Sequence, residues 1–455
     1  MKARLLTCAE KLHTSFWFVP SLMIVGSILL SIFTLRLDRQ VDEQVVNSLP
    51  LVFHGGVEGA RSLLSAVAGA MITVTGVTFS VMIVAFTLAS SQFTPRLLRG
   101  FMRDLGNQTV LGVFIANFTF CLAILRVVGG PADEFIPRIS VTAALALTAV
   151  SVCAMVYFIH HASAIIQAQS IIADVGRELD LAIATLYPEE IGHPARAITS
   201  PADLPDDFLK RCVQVPAEQN DYLEAIDGEG LLRGAEEQGL VLSIEVRPGD
   251  FIGAGEPLLL AYPTEKVTDD VRGQLYSAFI FGPQRTQTQD PEFVLNELVE
   301  IAVRALSLAI NDPGTAVLCI DRLGAALAHV AERPAPSSHR YGAEGCLRIV
   351  AKHYGFRGLF DAAFNQIRQH GRTSVAVTIR LLEAFRRIAY HIRRPEDRET
   401  VLRHAGMVER GSREGLHEPL DREDVQERYR AVLAVLDRFP LRGIEKEPSS
   451  QVLPS

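Results

Sequence analysis

The chain has 455 residues, of which 48% are hydrophobic and 21% charged, less charge than the ~25% usual for a soluble protein. The deficit is local: residues 1–170 carry 11 Lys+Arg and 8 Asp+Glu, residues 171–455 carry 33 and 44, and the net charges of +3 and −11 sum to −8. A charge-starved front joined to an acidic back excludes a simple soluble enzyme, a disordered chain and a basic nucleic-acid binder.

Four stretches hold no Asp, Glu, Lys or Arg: 12–35, 62–95, 105–125 and 139–173, of 24, 34, 21 and 35 residues. A helix rises ~1.5 Å per residue and the hydrocarbon core is ~30 Å thick, so about 20 apolar residues cross it. The pattern predicts a four-helix transmembrane domain over 1–170, with spans at about 14–35, 63–90, 107–127 and 140–161. The first run follows Lys2, Arg4 and Lys11 and begins with Trp17 and Phe18, aromatic rings that suit a membrane interface. It exceeds the ~7–15 apolar residues of a signal peptide and lacks a cleavage site, so it reads as an uncleaved anchor.

With the N-terminus inside, the basic residues of the tail join Arg96, Arg99 and Arg103 against Arg36, Arg39, Arg61, Arg126 and Arg138 opposite. This bias and an even number of spans predict a multi-pass protein of the cell inner membrane with both termini cytoplasmic. Along the second run, Ser65, Gly69, Thr73, Gly76, Ser80, Thr87 and Ser91 recur at helical steps and share one face. Two readings stand: a small-residue seam packing helices together, or the polar wall of a pore in an oligomer. Asn117, in the third span, needs a partner for its amide, either another helix or a cavity. His160 and His161 close the fourth span and read as interfacial. No run contains a carboxylate, which counts against a carboxylate proton relay. The cysteines form no C-x-x-C and no metal spacing, so neither a disulfide framework nor a metal site is expected.

Residues 171–212 read as a connecting helix and linker, and 213–284 as a small β domain. Leu240, Leu242, Ile244 and Val246 alternate onto one strand face, ahead of a Pro-Gly-Asp turn at 248–250. The pattern V-x-P-G-D-x-I-x-x-G-x-P-L resembles the barrel-sandwich half of biotinyl and lipoyl domains. No lysine lies between 211 and 265, so the likeness is one of shape without swinging-arm chemistry.

The segment 285–440 reads as mainly helical. Val294, Leu298, Ile301, Ala305 and Leu308 form one apolar stripe, and Val317, Ile320, Leu323, Leu327 and Val330 another. Asp290 before Pro291 and Asp312 before Pro313 are N-cap pairs, and Asn311 suits a left-handed close to the earlier helix. The alternative is a ligand or gating cluster of Arg285, Gln287, Asp290, Asn311 and Asp312. A short strand is expected at CLRIVAK after 345, and helices near 356–370, 374–392 and 423–438. Arg386, Arg387, Arg393 and Arg394 form a basic cluster, interrupted by acids, that reads as a solvated face or a contact for anionic headgroups. The tail 441–455 reads as disordered.

VTGVTFSVMIVAFTLASSQFTPRLLRGFMRD, RTQTQDPEF and RALSLAINDPGTAVLCIDRLG resemble the bacterial predicted membrane proteins of domain-of-unknown-function family twenty-two fifty-four, over about 10–430. Leu308 stands where that family's pattern has proline. The resemblance implies membrane helices followed by a cytoplasmic domain and brings no catalytic residues. No nucleotide loop, dinucleotide fingerprint, zinc-protease or hydrolase motif occurs, so neither enzymatic activity nor a cofactor is expected. The fold class expected is an α-helical membrane protein of four transmembrane helices with a C-terminal soluble α+β region, containing a barrel-sandwich-like unit and a helical unit. The function expected is an oligomeric channel or channel-like transporter with a cytoplasmic vestibule or gate. Its partners would be membrane lipids, copies of itself and a permeating ion or small solute, with no nucleic acid. The alternative is a membrane-anchored sensor or scaffold whose cytoplasmic domain binds a protein or small ligand.

Overall fold

The computed structural model describes residues 17–41, 52–92, 104–129, 135–165, 167–186, 204–334, 337–343, 345–352 and 354–438. The chain divides into two units, Met1–Ile171 and Ile172–Ser455. The expectations for the N-terminal tail, the 96–103 loop and the C-terminal tail lie outside the described residues.

In the first unit the charge-free runs become four helices: α1 (Phe18–Gln40), α2 (Val57–Gln92), α3 (Leu105–Leu125) and α4 (Arg138–Ile165). The hub is α3, which packs against the other three and buries Phe114, Phe120, Cys121 and Ile124. Its neighbour α1 has an inverted pattern: Pro20, Ser27, Ser31 and Thr34 are buried, while Leu22, Val25, Leu29, Ile32 and Phe33 are exposed. The Ser27 hydroxyl donates to the Ala116 carbonyl at 2.6 Å, and a Cβ at Gly112 would collide with Met23 Sδ. Small residues inside let backbones approach, and apolar side chains outside suit lipid rather than water.

Charged residues at the helix ends satisfy orphan backbone groups. Asp104 caps α3 by accepting from Asn107 N at 2.8 Å. Asp38, at the end of α1, accepts from Ile139 N at 2.7 Å and Ser140 N at 3.0 Å, capping α4 from a different helix. Arg61 of α2 donates to the carbonyls of Val128 at 3.1 Å and Gly129 at 2.5 Å, just past α3.

Helix α5 (Ala168–Leu186) leads into the second unit. Then come α6 (Phe208–Arg211), β1 (Val213–Pro216), β2 (Asp221–Ile226), α7 (Gly228–Gln238), β3 (Val241–Ile244), β4 (Phe251–Ile252), β5 (Pro257–Tyr262), α8 (Asp269–Tyr276) and β6 (Phe279–Gly282). As the alternation requires, Leu240, Leu242, Ile244 and Val246 are all buried. Two later strands, β7 (His339–Tyr341) and β8 (Leu347–Ala351), complete a five-stranded sheet in the order β1-β5-β3-β8-β7. The β3–β8 pair is parallel, with Leu242 opposite Ile349. The other sheet has the order β4-β2-β6. The sheet region therefore reaches beyond 213–284, through a return that periodicity could not reveal.

The rest is helical: α9 (Pro291–Ala305), α10 (Pro313–Glu332), α11 (Phe356–Gly371), α12 (Val375–Ala389), α13 (Pro395–Gly415) and α14 (Pro419–Arg438). Helix α13 has no counterpart among the expected elements, because its residues are mostly polar. Val294, Leu298, Ile301 and Ala305 are buried as their stripe predicts, but Leu308 is fully exposed. The reason is the end of α9 at Ala305: Asn311 turns the chain at φ 49°, and Asp312 N donates to the Ala305 carbonyl at 2.8 Å. On α10, Ile320, Leu323, Leu327 and Val330 are buried and Val317 half-buried. Among the described residues five helices are long and apolar enough to cross a membrane, α1 to α4 and α10. They differ in packing: 61% of the apolar window of α10 is buried, against 22–50% in the others. In the helical part of the second unit, buried His404 lies edge-on to Phe360 at 4.8 Å between centroids, with Nε2 2.6 Å from Asp361 Oδ1.

Candidate functional site

The polar face of α2 is placed as its spacing predicts, and it is uncovered. Ser65, Gly69, Thr73, Gly76, Ser80 and Thr87 are all exposed in the first unit, while Ala60, Leu64, Ala68, Met71, Met82 and Phe86 are buried. A Cβ added at Gly69 or Gly76 would meet nothing within 4 Å. Among the described residues of this unit no helix covers the face. The side chain of Ser91 lies outside the described residues. The Thr73 hydroxyl donates to the Gly69 carbonyl at 2.8 Å and that of Thr87 to the Ile83 carbonyl at 2.9 Å. Each thus satisfies its donor within the helix and leaves its oxygen able to accept.

Asn117 does not share that face. It is 1% exposed, and its amide nitrogen donates to Ser151 Oγ at 3.1 Å and Thr148 Oγ1 at 3.4 Å, tying α3 to α4. At the end of α4, His161 Nε2 is 2.9 Å from Asp104 Oδ1, and its ring stacks on Tyr157. His160 is exposed. One carboxylate thus caps α3 and holds His161, a pairing hidden by a separation of 57 positions in the chain.

In the second unit the five candidate residues fall at two places. Arg285 and Asp290 come together at the start of α9, while Asn311 and Asp312 sit past its other end. The intervening helix of 15 residues is ~22 Å long at ~1.5 Å per residue. Gln287 is exposed. A single cluster is therefore ruled out, because a straight helix holds its two ends apart.

Asp312 caps α10, accepting from Thr315 N at 3.1 Å and Thr315 Oγ1 at 2.6 Å. These bonds hold its carboxyl below the usual range.

Asp290 is the more elaborate cap. It is fully buried, and its Oδ1 accepts from Phe293 N at 3.1 Å and from the Tyr354 hydroxyl at 2.9 Å. Its Oδ2 accepts from Arg285 Nε at 2.9 Å and from a terminal guanidinium nitrogen at 2.7 Å. The Pro-Gly-Asp turn closes over this carboxylate: a Cβ at Gly249, which has φ 94°, would collide with Asp290 Oδ2. The Arg247 guanidinium lies 4.6 Å from the Tyr354 ring centroid and 4.0 Å from a Glu292 oxygen.

Burial opposes the Arg285 charge, but Asp290 outweighs it and holds the guanidinium pKa above its ordinary value. Burial, and then Asp290, pushes the Tyr354 hydroxyl up. Burial also raises the Glu292 carboxyl despite Arg247. Sequence reasoning missed Arg247, Glu292 and Tyr354, which reach this point from other elements. It also missed Gln289, whose amide pairs with both backbone groups of Ile226, accepting at 3.0 Å and donating at 3.1 Å. Chemically this is a fully engaged structural knot joining the sheet region to α9. Among the described residues no group of three His, Cys, Asp or Glu side chains is placed to hold a metal ion.

A family described as predicted membrane protein (DUF2254) matches residues 13–387. Uncharacterized proteins of Mycobacterium tuberculosis, strains CDC 1551 and H37Rv, are 31% identical over 426 residues, covering 91% of this chain and 79% of theirs. An uncharacterized protein of Mycobacterium bovis matches to the same extent, 31% over 426 residues. No solved structure matches the chain.

Proposed function

The chain belongs to the predicted membrane protein family DUF2254, and we propose that it forms an oligomeric channel or channel-like transporter of the cell inner membrane. In this reading α1 to α4 are the spans and both termini are cytoplasmic. The apolar helix α10 stays with the soluble part, because its stripe is already buried against α9 and α12. The sheet and helical parts of the second unit supply the vestibule or gate.

The observation that carries the proposal is the uncovered face of α2. A helix of 36 residues extends ~54 Å, well beyond the ~30 Å hydrocarbon core. It turns Leu64, Met71, Met82 and Phe86 inward together with Thr75 and Thr78, and leaves Ser65, Thr73, Ser80 and Thr87 outward among exposed apolar residues such as Ile72, Val77, Val81 and Val84. Small and hydroxylated residues pack better against another helix or a wet path than against lipid chains. Four spans make a poor private pathway, so symmetric assembly of several copies is required. A second reading, a membrane-anchored sensor or scaffold, is favoured by the bonding of the Thr73 and Thr87 hydroxyls back to their own helix, which suits packing as well as conduction.

Reconstitution into liposomes separates the two. A channel releases trapped ions or small osmolytes, and a thiol reagent bulky enough to fill the path blocks Ser80→Cys. Liposomes that stay sealed across pH and membrane tension refute the channel.

A further inference from the structure

The helical part of the second unit contains a half-open cavity of about 260 Å³ lined by Arg368, Arg372 and Arg410, with Thr378, Met407 and Glu414 also in its wall. From this cluster of arginines we propose that the cavity is a binding site for a phosphate-bearing anion. The proposal does not rest on the channel reading.

Arginines on protein surfaces commonly find carboxylates, and this chain follows the rule elsewhere: Arg394 pairs with Asp397, Arg403 with Asp361 and Arg413 with Glu409. Among the described residues, none of the three cavity arginines makes an ion pair with a carboxylate. Arg368 Nε is buried without a hydrogen-bond partner, a cost the fold bears at that position. Burial and the neighbouring Arg410 lower the Arg368 pKa, so two like charges are held near each other.

A structural account covers part of this. Arg368 lies in the last turn of α11, where a cation is favoured by the carbonyl ends of the helix. That account does not explain Arg410, which comes from α13. Nor does it explain why the buried Nε has no hydrogen-bond partner. Thr378 does not serve the arginines, since its hydroxyl donates to the Ser374 and Val375 carbonyls of its own turn.

The ligand class follows from charge and shape. Each guanidinium presents five N–H donors in a planar fork that matches phosphate oxygens. A single carboxylate offers two oxygens and one charge, enough for one fork. A phosphate group offers more oxygens and up to two charges, and can answer several forks together. The cavity is smaller than the ~300–1,000 Å³ of sites for drug-sized ligands, which suits a phosphate group with a small substituent. A free phosphorylated solute and a lipid headgroup share this chemistry.

The test uses the full chain in an uncharged detergent, with thermal unfolding followed at constant ionic strength. Inorganic phosphate and pyrophosphate should raise the midpoint saturably, pyrophosphate more so, and acetate should not. Arg368→Gln and Arg410→Gln should each weaken the apparent phosphate affinity ~10-fold or more, the loss of a charge-assisted contact. Neither should lower the midpoint without phosphate, because each removes a like-charge neighbour. Arg386→Gln, exposed on α12 and outside the cavity, should leave the response intact.

A second arm places the chain in phosphatidylcholine nanodiscs with and without phosphatidylglycerol. Stabilisation by the anionic lipid alone, lost in Arg368→Gln, assigns the site to a headgroup. Stabilisation by inorganic phosphate assigns it to a free anion. No stabilisation in either arm, or a response unchanged in both Arg368→Gln and Arg410→Gln, overturns the proposal.

Discussion

Replacing Asp290 by alanine tests whether the knot at the start of α9 holds the second unit together. The change deletes an acceptor used by four donors: Phe293 N, the Tyr354 hydroxyl and two nitrogens of Arg285. It leaves Arg285, 25% exposed at its side chain, facing a site where its partner was 0% exposed. Removing one member of a buried ion pair costs ~3–5 kcal/mol, and the lost N-cap alone accounts for ~1 kcal/mol of such a figure. A total near ~4 kcal/mol corresponds to a fall of ~8 °C or more in the melting midpoint, at ~2 °C per kcal/mol for a body of this size. Thermal unfolding of the full chain in detergent, followed by circular dichroism, measures it. Asp290→Asn keeps an acceptor for the cap and should fall between the two. Asp290→Ala with Arg285→Met should regain part of the loss, because no unpaired guanidinium remains. If Asp290→Ala melts within ~2 °C of the parent, equivalent to ~1 kcal/mol, the carboxylate does not hold the start of α9 in place.

Gly249→Ala should destabilise the same unit, since its φ of 94° and the nearby Asp290 Oδ2 both exclude a side chain; a midpoint equal to the parent's would contradict this. Glu292→Gln tests linkage. Burial raises the folded-state pKa of Glu292 above its ordinary 4.5, so stability associated with its protonated form is fully present below 4.5 and is lost as pH rises through the folded value. The variant should therefore gain on the parent at pH 7 and not at pH 4, which paired melting curves will show. Asn117→Leu removes the bonds to Ser151 and Thr148 and should cost ~0.6–1.7 kcal/mol, the range for interhelical polar contacts in membranes. Unfolding in detergent mixtures checks it, and no change would mean that the α3–α4 seam is held by packing alone.

Much of this was legible in one dimension. The charge-free runs mark α1 to α4 because a helix apolar enough to cross lipid needs a set length without charge, and both features are local. The caps at Asp290 and Asp312 and the turn at Asn311 were equally readable, since each depends on a few neighbouring residues and backbone angles that those residues favour. The same locality explains the error at Leu308. A stripe continued by period alone reaches Leu308, three residues past the end of α9 at Ala305.

The remaining contacts join residues far apart in the chain. Asp104 meets His161, Tyr354 completes Asp290, β8 returns beside β3, and three arginines from two helical segments face one cavity. No spacing rule encodes such meetings, because they follow from how helices and strands pack. The polar face of α2 shows both sides of the division. Its existence was fixed by residues three, four and seven apart, as the geometry of one helix requires. Its exposure was decided by which opposite face found partners in α3 and α4.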